Sequence, residues 1–145
     1  MIDFFRAANR HYRDGEYLLQ DKRHPNAGQL FGFAAECGIK ALLVASGYPT
    51  NPATGDMEKA CDSATDLRKH INILASGDSL RVFLDGRGGS ACLARLESIK
   101  DFSDWDISHR YWTDHKIPLS CEKWRNAAKE VVIMLDSLKL DGRIS

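Results

Sequence analysis

The feature that most constrains this chain is the stretch "LFGFAAECGIKALLVASG", which is apolar nearly throughout and interrupted by Glu36 and Lys40. Wound as a helix, Leu30, Phe31, Phe33, Ala34, Cys37, Ile39, Leu42 and Leu43 cover most of its girth. A helix that is apolar on nearly every side has to be surrounded, so this segment predicts the central, most enclosed element. Pro25 suits its first turn and Gly47 its stop, which gives a span from Pro25 to Ser46. Glu36 and Lys40 stand one turn apart in the order that favours an ion pair, and enclosure obliges both to find partners. His70, in "LRKHINIL", and Arg110 are the candidates from other segments. The first reading of such a cluster is structural and the second catalytic.

The rest of the chain reads as helices with breaks. Asp3 is a good N-cap for a first helix to about Lys22, whose buried face carries Phe5, Ala8, Tyr12, Gly15 and Leu19. Arg6, Arg10 and Arg13 recur on a neighbouring stripe, either a solvated edge paired with nearby acids or an RNA-contacting row. "SGYPTNPATGD" is loop by its prolines, glycines and turn formers. A third helix is expected over "CDSATDLRKHINILA", with Leu67, Ile71 and Leu74 on one face. A short apolar turn and a glycine break follow, then a helix from about Ser90 to Lys100. "GRGG" has no buried strand before it, which argues against a phosphate-cradling loop. The last helix is expected to start with Ser120 as N-cap and to carry Trp124, Ala127, Ala128, Val131, Val132, Met134, Leu135 and Leu138. No segment alternates convincingly with period two, so the expected fold is all-α, an up-and-down bundle of four to five helices.

Length and charge narrow the function. One domain, residues 1–145, is expected, because 145 residues bury a core without metal or disulfide staples. Lysines plus arginines number 20 against 20 aspartates plus glutamates, so any nucleic-acid contact must use a local patch. The charges in the longest apolar run, and an N-terminus without the apolar core of a signal peptide, lead to the expectation of a cytoplasmic protein that uses no membrane. Cys37, Cys61, Cys92 and Cys121 form no Cys-x-x-Cys pair and are read as reduced thiols. His11, His24, His70, His109 and His115 show no metal-ligand spacing, and neither a metal nor a cofactor is expected.

The segment "SHRYWTDHK" carries the most chemistry. Arg110 and His115 bracket four residues, and metal-independent RNA cleavage needs a fixed positive charge and a proton shuttle, which an arginine and a histidine can supply. On a regular helix residues five apart are rotated by about 140°, so the pair converges on one phosphate only from a loop or across a dimer. Pro118 and the Ser120 cap place His115 in the connection before the last helix. Trp105, Tyr111, Trp112 and Trp124 surround Arg110 in sequence, and such aromatics stack bases, seal the end of a bundle or form a subunit interface.

Taken in order, "AAECGIKALLVASGY", "LRKHINIL", "DWDISHRYWTD" and "WRNAAKEVVIML" resemble the HEPN domain family, named for higher eukaryotes and prokaryotes and for nucleotide binding. The likeness runs from Phe5 to about Leu140 and rests on Ala35, Glu36 and Lys40, the segment around His70, and the pair Arg110 and Tyr111. It implies a bundle of four or five helices, homodimers, and partnership with nucleotidyltransferase proteins in toxin-antitoxin or defence systems. It also implies two branches: ribonucleases whose arginine and histidine, with four to six residues between them, sit at the start of the last helix and meet across the dimer, and a nucleotide-binding or regulatory branch with "RY" followed by a proline and an aspartate. "RYWTD" is similar to the second, with Trp112 in place of the proline.

The leading expectation is therefore a homodimeric HEPN-like module that binds a nucleotide, an RNA or a nucleotidyltransferase partner. Arg110 and Tyr111 would line its site, with Glu36, Lys40 and His70 behind them. The alternative is a metal-independent ribonuclease toxin in which Arg110 stabilises charge on the scissile phosphate and His115 moves protons. The third reading is a non-catalytic oligomeric scaffold.

Overall fold

The computed structural model describes residues 1–145, and its regular structure is helical. Three helices are long: α1 (Phe4–Gln20), α2 (His24–Ala45) and, last in the chain, α6 (Cys121–Leu140). Between them lie the short helices α3 (Ile71–Ser76), α4 (Ser79–Leu84) and α5 (Ser90–Ala94), then 3-10 segments at Glu97–Asp104, Ile107–Tyr111 and Asp114–Lys116. An isolated antiparallel bridge, Thr50 with Met57, is the only β pairing.

Local chemistry sets the ends of the long helices. The Asp3 carboxylate accepts from the Arg6 amide at 2.9 Å and caps α1. Proline stands in the first turn of α2, and Gly47, with φ +100°, ends it in a conformation that suits glycine. Ser120 is in position to cap α6, but its hydroxyl donates to the Asp104 carboxylate instead, so the sequence-predicted cap becomes a tie to the preceding segment.

α2 is the enclosed element. Phe31, Ala34, Ala35, Ile39, Leu42 and Leu43 are fully buried, and 72% of its most apolar window lies inside the protein. Its length and hydropathy would suit a membrane span, but α1 and α6 take up that surface. The three-residue link to α1 makes an antiparallel pair, with Gly15 against Phe31 and His11 against Phe33. α6 runs parallel to α2, since Gly28 meets Trp124 and Gly38 meets Val131. Residues 46–120 must therefore climb back along the bundle. Arg143 reaches the Gly88 carbonyl near the foot of α6, Ser98 donates to Glu130 midway, and Trp124 Nε1 donates to Asp104 near the top.

That returning leg is where the layout departs from four or five bundle helices. The helix expected over "CDSATDLRKHINILA" is confined to Ile71–Ser76. Upstream, Asp62 and Asp66 accept from the amides of Ala64 and Arg68 and hold the backbone in turns. Buried Leu67 is held there too, its amide 3.4 Å from the Tyr48 hydroxyl. The helix expected from Ser90 to Lys100 stops at Ala94 and resumes as 3-10 turn at Glu97, while the apolar turn before it forms α4.

Candidate functional site

Trp105 organises the upper end of the bundle. It is 1% exposed, its indole N–H donates to the Gly28 carbonyl at 3.0 Å, and its ring meets Phe33 edge-on at 5.7 Å. A Cβ on Gly32 would come within 2.0 Å of the indole, so only glycine admits the ring against α2. The predicted polar residues fall into two groups on either side of this anchor.

The first group is built on α2 and the start of α3. Lys40 Nζ donates to Glu36 Oε1 at 2.6 Å, and His70 Nδ1 lies 2.9 Å from Glu36 Oε2. The side chains of Glu36 and Lys40 are 10% and 14% exposed, whereas that of His70 is 46% exposed. Of the two candidate partners, His70 reaches the pair and Arg110 does not. The His70 ring also sits 6.3 Å from Trp105. Nearby, burial and then the Arg10 guanidinium hold the His11 pKa below 6.5, against the pull of Asp14 and Glu36. Burial, reinforced by Glu36, pushes the Cys37 thiol up to about 11. Glu36 is thus saturated by two cationic or hydrogen-bonding partners in a mostly dry setting, an arrangement suited to holding α2 to the returning leg.

The second group is the corner at residues 106–116. Asp106 caps the Ile107–Tyr111 turn, accepting from the Ser108 amide at 2.7 Å and hydroxyl at 2.6 Å, and these bonds hold its carboxyl below the usual carboxylate range. Gln29 on α2 donates to the Asp106 carbonyl at 2.8 Å. His109 is 2% exposed, stacked at 26° on Trp124 and tilted onto Trp112 at 4.5 Å between centroids. Burial holds its pKa below 6.5, and its Nδ1 has no partner. From this footing the next residues point outward. The Arg110 guanidinium lies 4.8 Å from the centroid of the Tyr111 ring, and Tyr111 is 77% exposed. Trp112 is 46% exposed, and His115 sits in the exposed 3-10 turn Asp114–Lys116.

Arg110 makes no ion pair, and no hydrogen bond joins it to His115 or to Glu36, Lys40 or His70. The five residues expected in one binding site therefore form a closed ionic cluster and an open cation-aromatic corner, linked through Trp105 and Asp106. The arrangement offers an unpaired guanidinium beside exposed ring faces, which suits a phosphate with an adjoining base.

Sequence reasoning missed His109 and Gln29. Trp105 and Trp112, four residues before His109 and three after it, are the sequence signal that the histidine stands among aromatic rings. The lone amide of Gln29 among apolar neighbours was the corresponding signal on α2. No group of three or more His, Cys, Asp or Glu side chains is placed to hold a metal ion. Comparison with known proteins gives no match, whether to a family model, a curated protein or a solved structure.

Proposed function

We propose that this chain is a HEPN-like helical module that binds a nucleotide or an RNA at the Arg110–Tyr111 corner. In this reading it works as a homodimer beside a nucleotidyltransferase partner in a toxin-antitoxin or defence setting. The observation that carries the reading is the exposed stacking of Arg110 on Tyr111, a cation left without a carboxylate next to an open ring. A solvent-facing arginine with an aromatic beside it is the combination that grips a phosphate and stacks its base. Glu36, Lys40 and His70 support the corner indirectly, by fixing α2 and the returning leg on which Trp105 is seated. Exposed Trp112 and Leu119 on the same connection suit the subunit contact.

Calorimetric titration of wild type and Arg110→Ala with adenine and guanine nucleotides tests the reading. Binding by wild type and its loss in the variant, at unchanged helical content, is the expected result. Equal affinity of the two proteins sinks the site assignment.

Cleavage is the second reading, favoured by the exposure of both Arg110 and His115 on one connection. Incubating transfer RNA with wild type and His115→Ala in chelator separates it from binding. Cutting by wild type alone makes the corner a ribonuclease centre, whereas intact RNA in both samples leaves it a binding site.

A further inference from the structure

The outer face of α1 and the end of α6 enclose a groove of about 610 Å³. We propose that it is a second RNA-binding surface, one that follows the phosphodiester backbone. The inference shares the ligand class of the corner reading but none of its residues.

Arg6, Arg10 and Arg13 line the groove together with Lys139. At 1.5 Å rise and 3.6 residues per turn the three arginines are spaced by about 6 Å and about 4.5 Å along the axis, within an arc of about 60°. They form a row. Arg6 touches Asp3 at 3.4 Å, with both side chains well exposed, which is a weak hold. Arg10 and Arg13 form no ion pair, so the expected pairing of this stripe with nearby acids is limited to Arg6. Lys139 Nζ is kept at the rim by the Phe5 ring, 4.7 Å from its centroid.

Asp14 and Asp136 are the only acids lining the groove, which leaves four cations against two carboxylates in a chain of zero formal net charge. Rows of guanidinium forks match phosphate oxygens two at a time. Asn9 adds a polar reader: its amide nitrogen donates to the Phe5 carbonyl at 3.0 Å, so its side-chain oxygen is left to accept from a 2′-hydroxyl or a base. A lipid surface fits less well. Phe5 is the groove's single hydrophobic residue and is partly buried, so no apolar wedge enters a bilayer.

The test is fluorescence anisotropy with a labelled, unstructured single-stranded RNA across a salt series. Wild type is compared with the Arg10→Glu, Arg13→Glu double variant and with Asp136→Asn. Charge reversal is expected to weaken binding about tenfold or more and to cut the salt slope by about 1.4, two phosphate contacts at about 0.7 each. Asp136→Asn is expected to tighten it. All three side chains are exposed, and circular dichroism confirms that the helices persist. An unchanged affinity and slope in the double variant, or no RNA binding by wild type, overturns the proposal. So does loss of binding to phosphatidylserine vesicles with RNA binding retained. Nucleotide titration of Arg110→Ala reads the corner separately, so either site can fail without the other.

Discussion

His70 Nδ1 lies 2.9 Å from Glu36 Oε2, joining residues 34 positions apart, while the other Glu36 oxygen accepts from Lys40 at 2.6 Å. The two bonds differ in setting, because Glu36 and Lys40 are nearly dry and His70 is half in water. Removing Glu36 strands the Lys40 ammonium, whereas removing His70 leaves an ion pair intact. Glu36→Ala is therefore expected to cost about 3 kcal/mol in urea unfolding. His70→Ala is expected to cost about 1 kcal/mol or less. Equal losses would show that the His70 contact holds Glu36 as firmly as the Lys40 pair does.

The Gly32–Trp105 contact predicts a larger effect from a smaller change. A Cβ at Gly32 would stand 2.0 Å from Trp105 Cε2 and 2.1 Å from its Nε1, and a rigid indole cannot give way by rotating a distal atom. Gly32→Ala gains about 1 kcal/mol of helix propensity but forces the ring from its bond to the Gly28 carbonyl. The expected net loss is about 2–3 kcal/mol, with a shift in tryptophan emission as Trp105 meets water. Unchanged emission and stability would mean that the corner tolerates displacement of its anchor.

How far the fold was legible follows from where the information lies. α1, α2 and α6 were readable because caps, breakers and apolar spacing agree at each of them, as with Asp3, Pro25 and Gly47. The returning leg was not. Leu67, Ile71 and Leu74 do have helical spacing and all are buried, but the Asp62 and Asp66 side chains compete for the backbone amides and delay the helix to Ile71. The Glu36–Lys40 pair was legible from its spacing and His70 from its chemistry. Arg110 was an equal candidate partner for that pair because distance across a fold is invisible in one sequence. The burial of His109 between two tryptophans depends on the same tertiary placement.

Thiol chemistry gives an independent check on the packing. All four cysteines are free, and Cys61 alone is exposed. Burial pushes the thiols of Cys37 and Cys121 from 9.0 up to about 11, which leaves about a hundredfold less thiolate at neutral pH. Disulfide-exchange titration of the native protein is expected to show one fast thiol, absent in Cys61→Ser, with the others released by denaturant. Two fast thiols would indicate that α2, α5 or the start of α6 opens readily.

His109 makes the stability of the corner sensitive to mild acid. Burial holds its folded pKa below the ordinary 6.5, outweighing the pull of Asp106 and Asp104. The unfolded chain therefore takes up the proton first as pH falls, so stability is full above about 6.5 and declines toward the folded pKa. His11, lowered by burial and by Arg10, acts in the same direction. The neighbouring carboxylates of Asp104 and Asp106 do not confuse this window, because both are held below 3.8 and titrate in stronger acid. His109→Phe keeps a ring between Trp112 and Trp124 without a basic nitrogen. Urea unfolding from neutrality to about pH 5 is expected to show a shallower loss in this variant than in wild type, with the slope reduced further by adding His11→Phe. The same slope in wild type and His109→Phe would mean that His109 accepts its proton in place. Arg110 and Tyr111 would then stand on a charged footing in mild acid, not on a neutral one.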